Sequence, residues 1–235
     1  LELTEMMRLR SVLFCIVPSF SMAWTTMMAF SNSNVKVTVV GGTGFVGSRV
    51  CELLAKEGAQ VTSVSKTGSV PKWCSGESWT NDVTWTAADL IGDEATLDAA
   101  IGTPDAIVSC VGVVGTDRDE LLKGNGATNK AAFASAKRGS NVKRSALVSV
   151  ASEVSACEGK WLPEFFGGYF EGKRMAEAAA LDAVNGDATK ACIVKPSFIY
   201  GGDSFGLLPP RVNYEYGSGV EELLSLGLFK ALADI

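Results

Sequence analysis

The stretch 35–47 constrains the fold more than any other part of this chain. Its first half is short, apolar and rich in valine, which is typical of a central strand in a parallel sheet. Gly41, Gly44 and Gly47 follow in a G-x-x-G-x-x-G pattern, and an amphipathic helix pattern comes next. A second strand pattern begins at Gln60. We therefore predict a strand, a glycine turn, a helix and a second, parallel strand.

Such a glycine turn is suited to binding a dinucleotide. The first amides of a helix have no partner within the helix, and the helix dipole adds partial positive charge there. Glycines let the backbone approach a diphosphate closely. We predict that the turn binds the cofactor diphosphate, and the competing interpretation is that its glycines serve packing only. The residues predicted for this role are Gly41, Gly42, Thr43, Gly44, Phe45, Val46 and Gly47.

The end of the second strand bears on which dinucleotide is bound. NAD-preferring sites usually carry an acidic residue about 20 residues beyond the glycine turn. In this chain Ser65 and Lys66 occupy that place, and the next acidic residue is Glu77. Because a hydroxyl and a cation suit a 2′-phosphate, we expect NADP rather than NAD. The alternative is that Lys66 is only a solvated loop residue.

Strands and helices continue to alternate along the chain. We predict further strands at 83–88, 105–110, 143–150 and 191–195, and further helices at 93–100, 120–138 and 168–184. This alternation indicates an α/β fold with a doubly wound parallel sheet, a Rossmann fold with strand order 3-2-1-4-5-6. The remainder is predicted to be a short, irregular C-terminal substrate region with one short helix at 220–228.

Several strand ends carry residues at places where a dinucleotide would pass. The carboxylate of Asp89, after the third strand, can accept a hydrogen bond from an adenine amino group or, alternatively, can cap the next helix. Small residues after the fourth strand leave room for a cofactor. The residues predicted to contact the cofactor from these strand ends are Asp89, Leu90, Cys110, Val111, Gly112, Pro196 and Ile199.

Tyr169 and Lys173 lie four residues apart on one predicted helix, so they share a face. An ammonium group beside a phenol lowers the phenol pKa from its usual value of about 10. The tyrosine can then exchange a proton with a substrate oxygen while a hydride is exchanged with the cofactor. The ammonium can also hold the nicotinamide ribose, and Ser149 is expected to hold the substrate oxygen. The competing interpretation is a packing tyrosine and a surface lysine.

Taken together, these motifs resemble the short-chain dehydrogenase/reductase superfamily. They are most similar to its atypical NAD(P)-binding subgroup of plastids and mitochondria, with complex I 39-kDa-subunit-like proteins and relatives tied to quinone biosynthesis. The motifs that carry the resemblance are Val39–Ser48, Ser109–Gly112, Asn125–Gly126, Val142–Arg144, Tyr169–Lys173 and Lys195–Gly201.

The resemblance implies roles for individual residues. Tyr169 and Lys173 take the places of the catalytic pair, Asn125 that of the asparagine on the fourth helix, and Ser149 that of the serine. The usual run of serines is broken here, which brings Ala151 to the position that is most often catalytic.

By this resemblance the protein is an NAD(P)-dependent oxidoreductase that acts on a small carbonyl, alcohol or quinone-like molecule. The broken serine run favours a first alternative, a non-catalytic dinucleotide-binding protein that serves the structure or assembly of a membrane-associated complex. A second alternative is an epimerase or dehydratase that retains its NAD(P).

Composition excludes several other functions. A net charge of −5 without a long basic run argues against nucleic acid as a partner. The absence of histidine excludes histidine-based triads and histidine metal ligands. The six cysteines contain no C-x-x-C pair, so no metal site is expected.

The N-terminal residues 1–33 are predicted to be a targeting presequence that is not part of the fold. A basic start and a short apolar core precede Ser21–Ala23, a small-x-small cleavage site, and an acid-free segment follows. This order resembles the bipartite presequence of algae with secondary plastids, so we expect a plastid location. A mitochondrial presequence and a plain secretory signal are the alternatives. The predicted domains are then 34–203, which binds NAD(P), and 204–235, a truncated substrate-side region.

Overall fold

A computed structural model of the chain describes residues 34–139, 142–156, 158–160, 164, 166–196 and 199. Its strands are β1 Lys36–Val40, β2 Gln60–Ser65, β3 Val83–Ala87, β4 Ala106–Ser109, β5 Arg144–Val148 and β6 Ala191–Val194. They form one parallel sheet in the order β3-β2-β1-β4-β5-β6, which confirms the predicted fold class and strand order.

Helices connect most of these strands. They are α1 Phe45–Lys56, α2 Glu94–Ile101, α3 Arg118–Leu122, α4 Thr128–Gly139, α5 Ser152–Ser155 and α6 Phe166–Asp182. Two short 3₁₀ helices, Lys72–Cys74 and Ser78–Asp82, lie between β2 and β3.

The sheet separates two apolar cores, because alternate residues of each strand point to opposite faces. On one face Val40, Val64 and Leu147 pack with the apolar side chains of α2, α4 and α6. On the other face Val37 and Val39 pack with α1 and with the 3₁₀ segment before β3. With helices on both faces, the sheet is doubly wound, and its carboxyl edge is left to the loops.

The predicted continuous helix at 120–138 is interrupted. One π-helical turn, Lys123–Ala127, joins α3 to α4. Within this turn, Asn125 is fully buried, and its Nδ2 donates to the carbonyl oxygen of Leu121 at 2.9 Å. A π turn widens the helix locally, and such turns are frequent at functional sites. Here it directs a polar side chain toward the loop that follows β4.

Glycines allow α6 to cross this π turn at backbone contact. A Cβ atom added to Gly172 would lie 2.8 Å from Asn125 Cβ and 2.9 Å from the Gly126 nitrogen. Because α6 packs directly on the π turn, the face of α6 that carries Lys173 lies beside the ends of β4 and β5.

The sheet and its helices belong to one compact unit, Asn32–Ser197. The predicted presequence 1–33, the predicted boundary at 203 and the segment 204–235 with its helix at 220–228 lie outside the described residues. Within the described part of the chain, no helix is both long and apolar enough to cross a membrane.

Candidate functional site

The glycine turn between β1 and α1 is held by backbone hydrogen bonds. Gly41 has a φ of +77°, which a side chain would disfavour, and its amide donates to the Val64 carbonyl at 2.8 Å. The Gly44 amide donates to the Gly41 carbonyl at 2.9 Å. Gly44 is exposed and is the N-cap residue of α1. The turn is therefore tight, and it opens to solvent at the start of the helix.

No side chain caps the start of α1, and its first turn contains no acidic residue. By contrast, α2 and α3 begin with aspartates that accept from backbone amides, Asp93 from Thr96 at 2.8 Å and Asp117 from Glu120 at 2.8 Å. Among the residues that the structure describes, the first amides of α1 thus have no anionic partner, although the helix dipole favours one. This arrangement fits a diphosphate.

Gly47 allows the start of α1 to pack directly against the backbone of Gly41 and Gly42. A Cβ atom at this position would collide with the carbonyl oxygen of Gly41 and lie 2.8 Å from the Gly42 Cα. The sequence placed Gly41, Gly44 and Gly47 in one turn, and the structure brings them together there. Their predicted role toward a cofactor stays a proposal.

The predicted 2′-phosphate residues lie at the end of β2. Ser65 is buried, and its hydroxyl oxygen accepts from the Gly68 amide at 3.1 Å, whereas Lys66 is exposed. That bond leaves the hydroxyl proton of Ser65 to donate to a ligand. Ser65 is the last residue of β2, and the cationic Lys66 follows it directly.

At the end of β3, Asp89 is exposed, and its carboxylate accepts from the Ile91 amide at 3.2 Å. The cap of α2 is Asp93, so the alternative interpretation of Asp89 as a helix cap is wrong. The side chain of Leu90 is buried in the core. Any contact of Leu90 with a ligand would therefore come from its backbone.

The loop after β4 lies at the centre of the carboxyl edge. The Cys110 amide donates to the Val40 carbonyl at 2.9 Å, which ties the start of this loop to β1. A Cβ atom on Gly112 would lie 3.3 Å from Lys173 Nζ. The glycine therefore keeps a side chain from crowding the ammonium group, the place predicted for a ribose.

Lys173 is only 4% exposed. Its Nζ donates to the carbonyl of Val148 at 3.0 Å and to that of Val111 at 3.3 Å, so it joins the ends of β5 and β4. Burial lowers the pKa of this lysine from 10.5 to about 8. The ammonium form still predominates at pH 7, and the two carbonyls fix its position.

Tyr169 is half-buried on the same face of α6, with Lys173 Nζ 5.7 Å from the ring centroid. Burial raises the pKa of this phenol. This direction is opposite to the lowering expected from Lys173, because burial disfavours the charged phenolate. At pH 7 the phenol is protonated and can donate a proton or a hydrogen bond.

Two buried asparagines hold the loop after β4. Asn125 accepts from the Val113 amide at 3.1 Å and donates to the Val113 carbonyl at 2.8 Å. Asn129 donates to the Asn125 carbonyl at 2.8 Å and accepts from the hydroxyl of Ser109. Asn125 was predicted as a site residue, but Asn129 was not. Two amides four residues apart on a helix were the signal that could have identified it.

Ser149 lies directly after β5, at the strand end where the sequence predicted it. Its hydroxyl donates to the carboxylate of Glu177 at 2.5 Å, on the turn of α6 that follows Lys173. Ala151 is buried at the start of α5, and Ser152 is exposed. The Ser149 proton is donated to Glu177 in this arrangement, and the expected role of Ser149 toward a substrate oxygen stays a prediction. Glu177 itself was missed in the sequence.

The last two predicted cofactor residues follow β6. The Pro196 carbonyl accepts from the Ala151 amide at 3.0 Å, so this residue lies at the same edge of the sheet. Ile199 lies outside the compact unit, and its assignment stays a prediction. In the described ranges, no three or more acidic residues or cysteines are grouped so that they could hold a metal ion.

Comparisons with known proteins bear on what this edge binds. The sequence profile of the "NAD dependent epimerase/dehydratase family" matches residues 37–212. An uncharacterised chloroplastic protein of Arabidopsis thaliana is 35% identical over 171 residues, which are 71% of this chain and 51% of that protein. The chain thus spans about half the length of this relative. MIOREX complex component 2 of Saccharomyces cerevisiae is 42% identical over 57 residues, 23% of this chain and 21% of that protein.

Among solved structures, the UDP-Glc/GlcNAc 4-epimerase of Campylobacter jejuni has a TM-score of 0.57 at 17% identity. The match covers 76% of this chain and 59% of the epimerase. At this identity the likeness is one of fold. It agrees with the Rossmann-like fold and the sheet order.

Proposed function

Because the chain belongs to the NAD dependent epimerase/dehydratase family, we propose that it is an NADP-dependent oxidoreductase of the atypical short-chain dehydrogenase/reductase type. Its substrate is a small molecule with a carbonyl, alcohol or quinone-like group. One observation carries this proposal. Buried Lys173 and half-buried Tyr169 share a face of α6, and Lys173 lies beside Gly112 at the carboxyl edge that also holds the glycine turn.

Each residue then has a defined task. When bound, the nicotinamide supplies or accepts a hydride. The backbone of residues 41–47 holds the diphosphate, and the Lys173 ammonium holds the ribose hydroxyls. Tyr169, protonated at neutral pH, donates its phenolic proton to the substrate oxygen in reduction and takes it back in oxidation. Ser149 would hold the substrate oxygen only by exchanging the hydrogen bond that its hydroxyl now donates to Glu177.

Replacing Tyr169 by phenylalanine tests the oxidoreductase activity. Loss of a general acid lowers turnover by about 100-fold or more. NADPH affinity stays within about twofold, because the phenol is not assigned to the cofactor. The measurement is NADPH oxidation against a panel of quinones, aldehydes and ketones, with binding measured by calorimetry. Equal turnover in both proteins would contradict the role of Tyr169.

The preference for NADP rests on Ser65 and Lys66, since no acidic residue follows β2 closely. We expect NADPH to raise the melting temperature more than NADH does. Lys66→Ala weakens NADPH binding by about tenfold, the loss of one charged hydrogen bond, and leaves NADH binding unchanged. Lys56→Ala is the control, because Lys56 ends α1 far from the turn and pairs with Glu52. Stronger stabilisation by NADH would refute the preference.

A second candidate function is that of a dinucleotide-binding protein in a membrane-associated complex. It is supported by Ala151 at the usual catalytic serine position and by the short similarity to MIOREX complex component 2. Tight NADPH binding without turnover in either the wild type or Tyr169→Phe would favour it. The family also includes epimerases and dehydratases, so a sugar nucleotide interconverted without net NADPH consumption would indicate the third candidate.

We also propose a plastid location. The support is the chloroplastic relative from Arabidopsis thaliana together with the presequence pattern in residues 1–33. A mitochondrial location is the alternative. The destination of a fluorescent reporter fused to residues 1–33 distinguishes the two.

A further inference from the structure

Glu177 lies on α6 one turn after Lys173 and two turns after Tyr169, so all three side chains share a face. Its carboxylate has two partners. One oxygen accepts from the Ser149 hydroxyl at 2.5 Å, and the other accepts from Lys195 Nζ at 2.8 Å. Ser149 follows β5 and Lys195 follows β6. Glu177 therefore joins α6 to the ends of two neighbouring strands.

Two successive residues at the end of β5 hold two successive turns of α6. The carbonyl of Val148 accepts from Lys173 Nζ at 3.0 Å, and the hydroxyl of Ser149 donates to Glu177. The Glu177 side chain is 23% exposed, and Lys173 is almost fully buried. The helical turn from Lys173 to Glu177 is thus held at both of its ends, and this fixes the position of the lysine.

We propose that Glu177 is a positioning residue that fixes Lys173 at the carboxyl edge and keeps it in the ammonium form. Ser149 serves this arrangement as the anchor of Glu177. The inference rests on the proposed function only in that Lys173 is taken to hold the cofactor. The effect of Glu177 on the lysine itself is independent of any cofactor.

The groups around Lys173 support this role. Cys110, from the end of β4, faces the lysine, but burial raises the pKa of its thiol to about 12, so it is uncharged at neutral pH. Tyr169 on α6 is also neutral, since burial raises its pKa. The π turn contributes the amide of Asn125, and β5 contributes a carbonyl and a hydroxyl. Among these described groups, only the carboxylate of Glu177 carries a negative charge.

The charge of Glu177 determines the direction in which it shifts the pKa of Lys173. Burial lowers the pKa of Lys173 to about 8, and the negative charge of Glu177 acts in the opposite direction. Glu177→Gln keeps the size and a hydrogen-bond acceptor but removes the charge. The pKa of Lys173 then falls further, and the ammonium form is lost at a lower pH. A residue that only packed would not change this titration.

The test is a titration of Lys173 in cofactor-free protein labelled with ¹³C at the lysine Cε. The signal that is missing from Lys173→Met belongs to Lys173. We expect its midpoint to be lower by about one pH unit in Glu177→Gln than in the wild type. Lys195→Met, which removes a cation but keeps the Glu177 charge, leaves the midpoint unchanged or raises it. The same midpoint in Glu177→Gln and the wild type overturns the inference.

NADPH affinity measured over the same pH range separates this inference from the proposed function. In the wild type, affinity falls once Lys173 loses its proton, and in Glu177→Gln it falls from a lower pH. If the wild type binds no nicotinamide nucleotide, the proposed function fails, and the lysine titration alone decides the role of Glu177. If Glu177→Gln does not fold, Glu177→Met, which also removes the charge, replaces it, and a wild-type midpoint in that variant overturns the inference.

Discussion

Replacing Gly47 by alanine is expected to lower NADPH affinity by about 100-fold, the equivalent of about 3 kcal/mol. A Cβ atom here would lie 2.8 Å from the Gly42 Cα and collide with the Gly41 carbonyl. The turn must open to relieve this contact, and the amides at the start of α1 then no longer converge on the diphosphate. The same strain lowers the free energy of unfolding by about 2 kcal/mol.

Gly115→Ala is the matched control, because a Cβ atom there meets no atom of the described residues within 4 Å. Calorimetry with NADPH gives the affinities, and urea denaturation gives the free energies of unfolding. The control is expected to match the wild type in both. Undiminished NADPH binding by a folded Gly47→Ala protein would contradict the assignment of the diphosphate to this turn.

Two adjacent glycines of α6 are expected to respond to alanine with opposite signs. A Cβ atom on Gly168 would lie 2.9 Å from the carbonyl carbon of Arg118 and collide with its oxygen. Among the described atoms, one on Gly167 meets only Glu158 Oε1 at 3.6 Å. Gly168→Ala lowers the free energy of unfolding by about 2 kcal/mol, because α6 must move away from α3. Gly167→Ala raises it by up to about 1 kcal/mol, because alanine favours a helix over glycine.

Chemical denaturation of the two variants under identical conditions measures the difference. Since Tyr169 directly follows Gly168, the displaced helix is also expected to lower turnover in Gly168→Ala but not in Gly167→Ala. If the free energy of unfolding changed by the same sign and size in both variants, this would contradict the close contact between Gly168 of α6 and Arg118 of α3.

The strand order could be predicted from the sequence because each strand carries its own signal. Valine-rich segments such as 35–40 alternate with helices, and the rules of parallel sheets then leave few topologies. The glycine turn was likewise predictable, since Gly41, Gly44 and Gly47 act within one local segment.

Other features depend on contacts between distant segments, and these were missed. The π turn around Asn125 exists because its amide binds both Leu121 and Val113, which helix propensity does not register. The hydrogen bond between Ser149 and Glu177 depends on the register of α6 over β5, which the sequence does not show. The spacing of Tyr169 and Lys173 led to the prediction of a lowered phenol pKa. Burial raises that pKa instead, and spacing alone does not indicate burial.

The structure of the chain bound to NADPH is the most direct test of the central claim that the turn at residues 41–47 is a diphosphate site. The expected result is a diphosphate within hydrogen-bonding distance of the first amides of α1, with the nicotinamide ribose beside Lys173. A diphosphate bound elsewhere, or no binding of NADPH or NADH at all, would contradict this claim and the functions proposed from it.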